Sequence, residues 1–228
     1  EVGFFDAFLA QPGMHLILGL HEGIVIAMAD GYHKVSREPA FVNVHVIAGT
    51  AQAAGQLYNA SRDGSALVVT AGLLDNERFS DDILLGPRPG FDQKEINRQF
   101  TKISWESHEA AGIPIMLRRA FKMALTAPTG PVYLAMPDYV LEQKAVTAMI
   151  FDRPHFLIPD DIPPKQQLVE QLAERLLAAR SPVLNVGSEV TKARAQGDAL
   201  ELAELLRVPV CDAGSLAAFH NFPRRHPL

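Results

Sequence analysis

One short run of the sequence restricts the fold more than any other feature. Residues 66–70, ALVVT, form a nearly continuous apolar run with the length of a single strand. A strand without a polar face is covered by protein on both sides, and such strands are typical of parallel sheets. A β-rich run at residues 40–46 precedes it, and an apolar run at residues 132–136 follows it. The sequence therefore predicts a parallel sheet with a layer of structure on each face.

Segments with helical character separate these strands. Residues 21–34 (HEGIVIAMADGYHK) follow a predicted strand at residues 16–20, and residues 51–61 follow the next strand. Pro114 lies in the first turn of a further predicted helix, which ends near Leu125. Alternating strands and helices imply right-handed crossovers between parallel strands. We therefore expect an α/β fold whose parallel sheet is flanked by helices.

A proline-rich stretch divides the chain. Residues 141–163 have little periodicity and are rich in proline, which indicates a linker. Residues 1–140 before it form the predicted parallel-sheet domain, and residues 164–228 after it carry a second α/β pattern that stops after two strands. Because the chain starts inside a predicted helix and ends in a predicted loop, we expect a fragment. Its first domain would be shortened at the N-terminus, and its second domain would be incomplete.

Composition excludes several classes of function. The net charge of −5 and the scattered basic residues do not favour nucleic-acid binding. Cys211 is the only cysteine, so an internal disulfide and a multi-cysteine metal site are excluded. The histidines lack the spacing of metal ligands, and we predict no metal site in this chain. No apolar run approaches the ~20 residues that span a bilayer and no signal peptide is visible, so we expect a cytoplasmic protein that does not bind membranes.

Glu22 is the first candidate for chemistry. It lies at a predicted strand–helix junction, one residue into a run of small and apolar residues. A helix that is apolar all round is enclosed by protein, so we expect a carboxyl group shielded from water, and burial raises the pKa of such a group. A raised pKa suits proton exchange. The alternative is that Glu22 only caps the helix and interacts with its dipole.

This junction, followed by Ala29-Asp30-Gly31-Tyr32, resembles the cofactor-activating motif of the thiamine diphosphate (ThDP) enzymes, in their pyrimidine-binding domain. Other motifs of that family follow in its order, over residues 2–228: Asn43-Val44-His45, Ala48-Gly49-Thr50 with Gln52, Asn59-Ala60, residues 67–72, residues 130–134 with Pro137, Pro182-Val183-Leu184, and Phe222-Pro223 with His226-Pro227. The resemblance implies that Glu22 hydrogen-bonds the aminopyrimidine ring and activates the cofactor. It also implies that Thr50 and Gln52 contact the cofactor.

The stretch around His45 looks most like the benzoylformate decarboxylase branch of this family. There the matching histidine faces the reactive carbon of the cofactor and transfers protons, so the resemblance makes His45 a catalytic candidate. An imidazole titrates near ~6.5, which suits both donating and accepting protons. The alternative is a histidine at a strand end that is satisfied by a backbone carbonyl. Gln52 replaces an asparagine of that branch, and the predicted loop at residues 73–100 diverges, so the substrate stays open.

The resemblance implies a function as well as a fold. We expect a ThDP-dependent lyase that decarboxylates a 2-oxo acid without oxidation, in a homodimer or homotetramer. Mg²⁺ would be the second cofactor, held in a diphosphate-binding domain that this chain lacks, so the chain alone would be inactive. Two alternatives stay open: a carboligase of the acetolactate synthase type, and a binding or assembly module that keeps the fold without catalysis.

Overall fold

The structure is a computed structural model that describes residues 2–74, 84–151, 162–212 and 219–228. Parts of the predicted loop and of the predicted linker lie outside these ranges. The chain divides into two units, Glu1–Asp160 and Asp161–Leu228. The finer division into residues 1–140, 141–163 and 164–228 stays a prediction.

A parallel sheet forms the centre of the first unit. Its strands are β1 (Ala40–Val44), β2 (Leu67–Leu73), β3 (Ser104–Glu106) and β4 (Val132–Pro137), in the spatial order β1-β2-β4-β3. All three pairings are parallel. Every residue of β2 and β4 is buried, as expected for central strands covered on both faces. The prediction of an α/β fold with a parallel sheet is confirmed.

Helices cover both faces of this sheet. The first unit contains α1 (Val2–Leu9), α2 (Glu22–Ser36), α3 (Val46–Gln52), α4 (Ala54–Asp63), α5 (Ile113–Leu125) and α6 (Asp138–Leu141). Successive strand residues point to opposite faces. Val69 accordingly packs in a cluster with residues of α2 and α4, whereas its neighbour Val68 packs with residues of α5. The core therefore consists of two apolar layers separated by the sheet.

The predicted strand at residues 16–20 is wrong. This segment has no regular secondary structure, and Leu18 and Leu20 are 81% and 95% exposed. An apolar run becomes a strand only where a neighbouring strand supplies hydrogen-bond partners, and the described sheet ends at β1. The described part of the predicted loop at residues 73–100 contains two 3₁₀ turns, Gln93–Glu95 and Arg98–Phe100.

Helix α2 is only half enclosed, although its sequence predicts a helix surrounded by protein. One face packs against the unit and contains the buried residues Gly23, Ile26, Ala29, Asp30 and His33. The opposite stripe is exposed although it is largely apolar, and it consists of Ile24, Met28, Tyr32 and Val35. These residues follow one another at helical spacing and so share a face. The first unit by itself therefore leaves half of the apolar surface of α2 uncovered.

The second unit has a smaller α/β arrangement. Its elements are α7 (Gln166–Ala178), β5 (Leu184–Val186), α8 (Ser188–Lys192), α9 (Gln196–Leu206) and β6 (Val210–Asp212). The two strands pair in parallel, and Val186, Ala203, Val208 and Phe222 form a small core. Among the described residues of either unit, no helix is long and apolar enough to cross a membrane.

Asp30 connects three elements of the first unit. Its carboxylate accepts hydrogen bonds from Lys34 Nζ at 2.7 Å and from Ser65 Oγ at 2.5 Å, just before β2. Lys34 also pairs with Asp63 at the end of α4. Burial lowers the pKa of Lys34, but its bonds to the two aspartates raise it more, so the net pKa lies above its ordinary value. The ammonium group is therefore charged at neutral pH and ties α2 to α4.

We expect Asp30→Ala to lower the free energy of unfolding by about 1–3 kcal/mol, because it leaves the buried Ser65 hydroxyl without its acceptor and removes one of the two carboxylates that bind Lys34. Urea unfolding of the purified variant measures this loss. Glu95→Ala is the matched control, since it removes an exposed ion pair with Arg98 and should cost less than ~1 kcal/mol. Equal losses in the two variants would contradict the role assigned to Asp30.

Candidate functional site

Glu22 is the first residue of α2, and a neighbour performs the capping. The residue before it, His21, has extended backbone angles, and its Nδ1 accepts a hydrogen bond from the Gly23 N–H at 3.0 Å. This contact satisfies one of the free N–H groups at the start of the helix. Glu22 therefore does not cap the helix with its side chain, although as an acid in the first turn it still interacts favourably with the helix dipole.

The Glu22 carboxylate lies against a glycine. A Cβ atom on Gly49 would lie 3.0 Å from Glu22 Oε1 and 3.3 Å from the Val44 carbonyl carbon. Such distances are too short for an undisturbed side chain, so the glycine permits the close approach of α2 to α3. The carboxylate makes no hydrogen bond or ion pair with any residue in the described part of the chain. Glu22 thus offers a half-buried carboxylate with unused hydrogen-bonding capacity.

A cavity of about 500 Å³ connects Glu22 with His45. The two residues come from the start of α2 and from the position after β1. Asn43 adds an amide to the lining, but most other lining side chains are apolar. Four of them are phenylalanines, three from α1 and one from β1: Phe4, Phe5, Phe8 and Phe41. The cavity therefore combines one acid with three imidazoles, those of His15, His21 and His45, in a largely apolar wall.

His45 is positioned by the turn between β1 and α3. It occupies the N-cap position of α3, its side chain is exposed, and its carbonyl accepts a hydrogen bond from the Gly49 N–H at 2.6 Å. The sequence indicated that the strand continues through Val46, because β-branched residues favour strands. The strand instead ends at Val44, and the helix begins at Val46. His45 is therefore a turn residue next to the cavity and not a member of the strand.

Val46 has an unusual backbone conformation. Its φ angle is +38°, in the left-handed region that β-branched residues avoid. Holding a residue there costs about 1–3 kcal/mol, and such residues persist only where the surrounding structure fixes them. The Val46 side chain is buried, and its carbonyl accepts a hydrogen bond from Thr50 Oγ1 at 2.7 Å. A strained residue thus lies immediately after His45.

Thr50 and Gln52 lie outside the cavity lining. The Thr50 side chain is fully buried, and its hydroxyl also bonds the Tyr133 hydroxyl at 2.9 Å. Gln52 is exposed at the end of α3. The structure brings Glu22 and His45 together but gives Thr50 an internal role, and the contact of Thr50 and Gln52 with a cofactor stays a prediction.

Sequence reasoning missed the phenylalanines of the cavity and the partner of Thr50. Phe4, Phe5 and Phe8 recur at helical spacing in α1, which was a usable signal for a shared apolar face. Tyr133 lies within an apolar strand, and a buried tyrosine needs a hydrogen-bond partner for its hydroxyl. That requirement predicts a buried polar contact, although the sequence cannot name the partner.

Comparison with known sequences identifies relatives for most of the chain. Residues 1–97 match the family model "Thiamine pyrophosphate enzyme, N-terminal TPP binding domain". The chain is 38% identical to benzoylformate decarboxylase of Pseudomonas aeruginosa over 212 residues, which cover 92% of the chain and 39% of that protein. It is 25% identical to the acetolactate synthase large subunit of Haemophilus influenzae over 237 residues, which cover 96% of the chain and 38% of that protein.

Solved structures agree with the sequence comparison. Benzoylformate decarboxylase from Polynucleobacter necessarius is 29% identical with a TM-score of 0.86, and 99% of the chain aligns with 41% of that protein. The ThDP-dependent 4-hydroxybenzoylformate decarboxylase of Rhodococcus jostii is 32% identical with a TM-score of 0.81, and 99% of the chain aligns with 42% of it. The chain therefore spans about two fifths of the length of the relatives it matches.

We expect Gly49→Ala to displace the Glu22 carboxylate by a few tenths of an ångström. The added methyl group overpacks the contact between α2 and α3, which should lower the free energy of unfolding by about 1–3 kcal/mol. A crystal structure and urea unfolding of the variant test both effects. Gly31→Ala is the control, because a Cβ atom there meets nothing within 4 Å and should stabilise α2 by about 0.4–1 kcal/mol. An unmoved carboxylate in Gly49→Ala would contradict the contact.

Proposed function

The chain belongs to the family of thiamine pyrophosphate enzymes, and from this premise we propose that the full-length protein is a ThDP-dependent, non-oxidative decarboxylase of a 2-oxo acid. One observation carries the proposal: the carboxylate of Glu22, which has no hydrogen-bond or ion-pair partner among the described residues, and the imidazole of His45 border the same largely apolar cavity. The 38% identity to a benzoylformate decarboxylase, against 25% to an acetolactate synthase, supports decarboxylation over the other reactions of the family.

The residues of the cavity fit one part of the cofactor. Because Gly49 has no Cβ, the Glu22 carboxylate fits beside it at the border of the cavity. A carboxylate oxygen at this position would suit a hydrogen bond to the nitrogen-containing ring of the cofactor. Apolar side chains around it suit the faces of such a ring. Within the described ranges, no group of three or more acidic, histidine or cysteine side chains could hold a metal ion. Binding of the diphosphate and of Mg²⁺ is therefore assigned to another part of the full-length protein.

The two polar residues have distinct roles in this proposal. When bound, ThDP supplies the electron sink that makes loss of carbon dioxide possible. Glu22 would hold the nitrogen-containing ring of the cofactor by a hydrogen bond at Oε1 and would move a proton at that atom. The His45 imidazole exchanges a proton with the substrate, a role that suits a ring with one nitrogen that donates and one that accepts.

The aromatic lining favours an aromatic 2-oxo acid. Phe4, Phe5, Phe8 and Phe41 border the cavity, and aromatic rings pack favourably edge to face or in offset stacks. Two of the relatives described above carry benzoylformate in their names, and a third carries 4-hydroxybenzoylformate. We therefore propose a substrate of this class, which assays of the full-length protein with aromatic and aliphatic 2-oxo acids would test.

Carboligation is the second candidate, because the acetolactate synthase of Haemophilus influenzae aligns with 96% of the chain. Product analysis separates the two reactions. Both reactions release carbon dioxide from a 2-oxo acid, but a decarboxylase forms an aldehyde, whereas a carboligase joins the decarboxylated donor to a second oxo compound and forms a 2-hydroxy ketone. Absence of any turnover in a protein that binds ThDP would instead favour the non-catalytic module.

A homo-oligomer is part of the same proposal. The exposed stripe Ile24, Met28, Tyr32 and Val35 makes α2 apolar on two faces, and only one of them is covered by the first unit. A helix that is apolar all round is normally enclosed by protein. A second copy of the chain would cover the stripe and would bring another surface close to Glu22 at the start of the same helix.

We expect Glu22→Gln in the full-length protein to reduce turnover by far more than tenfold while the fold survives. The amide has nearly the same shape but cannot exchange a proton with the cofactor ring. Steady-state kinetics with saturating ThDP and circular dichroism measure the two properties. Glu95→Gln, at an exposed position, is the control. Turnover within about tenfold of the wild type, a loss of only ~1.4 kcal/mol, would refute the role of Glu22.

We expect His45→Ala in the full-length protein to reduce turnover by about 10²- to 10⁴-fold, because proton transfer to the substrate is lost. The affinity for ThDP should change little, since His45 faces the substrate in this proposal. Kinetics and a cofactor titration distinguish the two effects. His108→Ala, at a side chain that is 77% exposed, serves as the control. Full turnover, or a loss caused only by weak cofactor binding, would return His45 to a structural role.

A further inference from the structure

A series of buried hydrogen bonds runs from the centre of the sheet to the turn beside His45. Gln93 Nε2 donates to the Gly72 carbonyl at 2.8 Å and to the Tyr133 hydroxyl at 2.9 Å. The Tyr133 hydroxyl contacts Thr50 Oγ1 at 2.9 Å, and Thr50 Oγ1 contacts the Val46 carbonyl at 2.7 Å. The three side chains are at most 1% exposed.

The acceptor at the end of the series, the Val46 carbonyl, determines which group donates in each hydrogen bond. The Val46 carbonyl can only accept, so the single hydroxyl hydrogen of Thr50 points to it. Tyr133 must then donate to Thr50, and its own oxygen is left to accept from Gln93. The Gln93 amide uses both hydrogens, one for Tyr133 and one for Gly72, and its Oε1 has no partner among the described residues. Hydrogen bonds ordered in one direction polarise and strengthen one another.

The series ends at the strained residue of the site. Val46 has the positive φ angle that its side chain disfavours, and it directly follows His45. A strained conformation persists only where other contacts determine it. Asn97 adds to this restraint because its Nδ2 donates to the carbonyl of Thr50, one turn further along α3. The buried bonds therefore hold the conformation of the turn from which the His45 side chain extends.

We propose that Thr50, Tyr133 and Gln93 are positioning residues that keep Val46 in its strained conformation and thereby fix the direction of the His45 side chain. The effect on catalysis rests on the proposed function, but the effect on His45 geometry does not. The proposal assigns Thr50 a role in positioning His45, which is separate from any contact with a cofactor.

A double-mutant cycle between positions 133 and 46 tests the proposal in the full-length protein. Tyr133→Phe interrupts the series and keeps the ring. Val46→Gly permits the positive φ angle without strain, so the series is no longer needed to hold the turn. Tyr133→Phe should reduce turnover by about 10- to 100-fold with Val46 present, because misplaced catalytic groups cost that much. In the Val46→Gly background the same change should cost less than about threefold.

A second measurement does not depend on activity. The His45 ring resonances of the labelled protein, identified with His45→Ala, report the environment of the imidazole. We expect Tyr133→Phe to shift or double these resonances, and Tyr58→Phe, which alters a tyrosine that is 49% exposed, to leave them unchanged. If Tyr133→Phe does not fold, Thr50→Val removes the same link at constant shape. Thr50→Ser, which keeps the hydroxyl, should then restore the wild-type spectrum.

The outcomes separate this proposal from the proposed function. Equal losses in the two backgrounds, or unchanged His45 resonances in Tyr133→Phe, would show that the series only stabilises the fold and would overturn the inference. If His45→Ala keeps full turnover while Tyr133→Phe shifts the resonances, the positioning inference stands and the catalytic role of His45 fails. If Tyr133→Phe leaves the His45 resonances unchanged while His45→Ala is inactive, the catalytic role of His45 stands and the positioning inference fails.

Discussion

The common direction of the four strands is the constraint on which the rest of the first unit depends. Because β1, β2, β4 and β3 are parallel, all their carboxyl ends lie at one edge of the sheet. Helix α2 runs back towards the beginning of β1, so its first residue, Glu22, returns to that edge. His45 reaches the same edge from the end of β1. Parallel sheets of this kind collect ligands at the carboxyl ends of their strands.

Burial on both faces of the central strands makes this arrangement rigid. Every residue of β2 and β4 is buried, so a shift in register would disturb the packing of both apolar layers at once. Several buried polar side chains make contacts between elements. Tyr133 of β4 contacts Thr50 of α3, and Ser65 before β2 contacts Asp30 of α2. Polar groups in this core therefore fix relative positions that apolar packing alone leaves adjustable.

The sequence predicted the parts of the fold that depend on hydrophobic pattern. The central strands and α5 follow from apolar runs and helix-start signals, and the acid at the start of α2 was identifiable as an exception within an apolar segment. The prediction of a strand at residues 16–20 failed because an apolar run does not reveal whether a neighbouring strand is present to pair with it. The prediction that the strand continues through Val46 failed because Val46 adopts a backbone conformation that its own side chain disfavours. Local preferences are most often overruled at such sites, where the surrounding contacts determine the backbone.

The position of β1 at the end of the described sheet has a consequence for recognition. Every second peptide unit of an edge strand points away from its neighbour, and β1 pairs only with β2 in the described part of the chain. Four residues of β1 border the cavity that contains Glu22 and His45. That wall therefore presents main-chain donors and acceptors between apolar side chains. A ligand oriented by these peptide groups keeps the contact whatever side chain replaces Val42 or Val44, so side-chain substitution alone underestimates what the sheet edge contributes to binding.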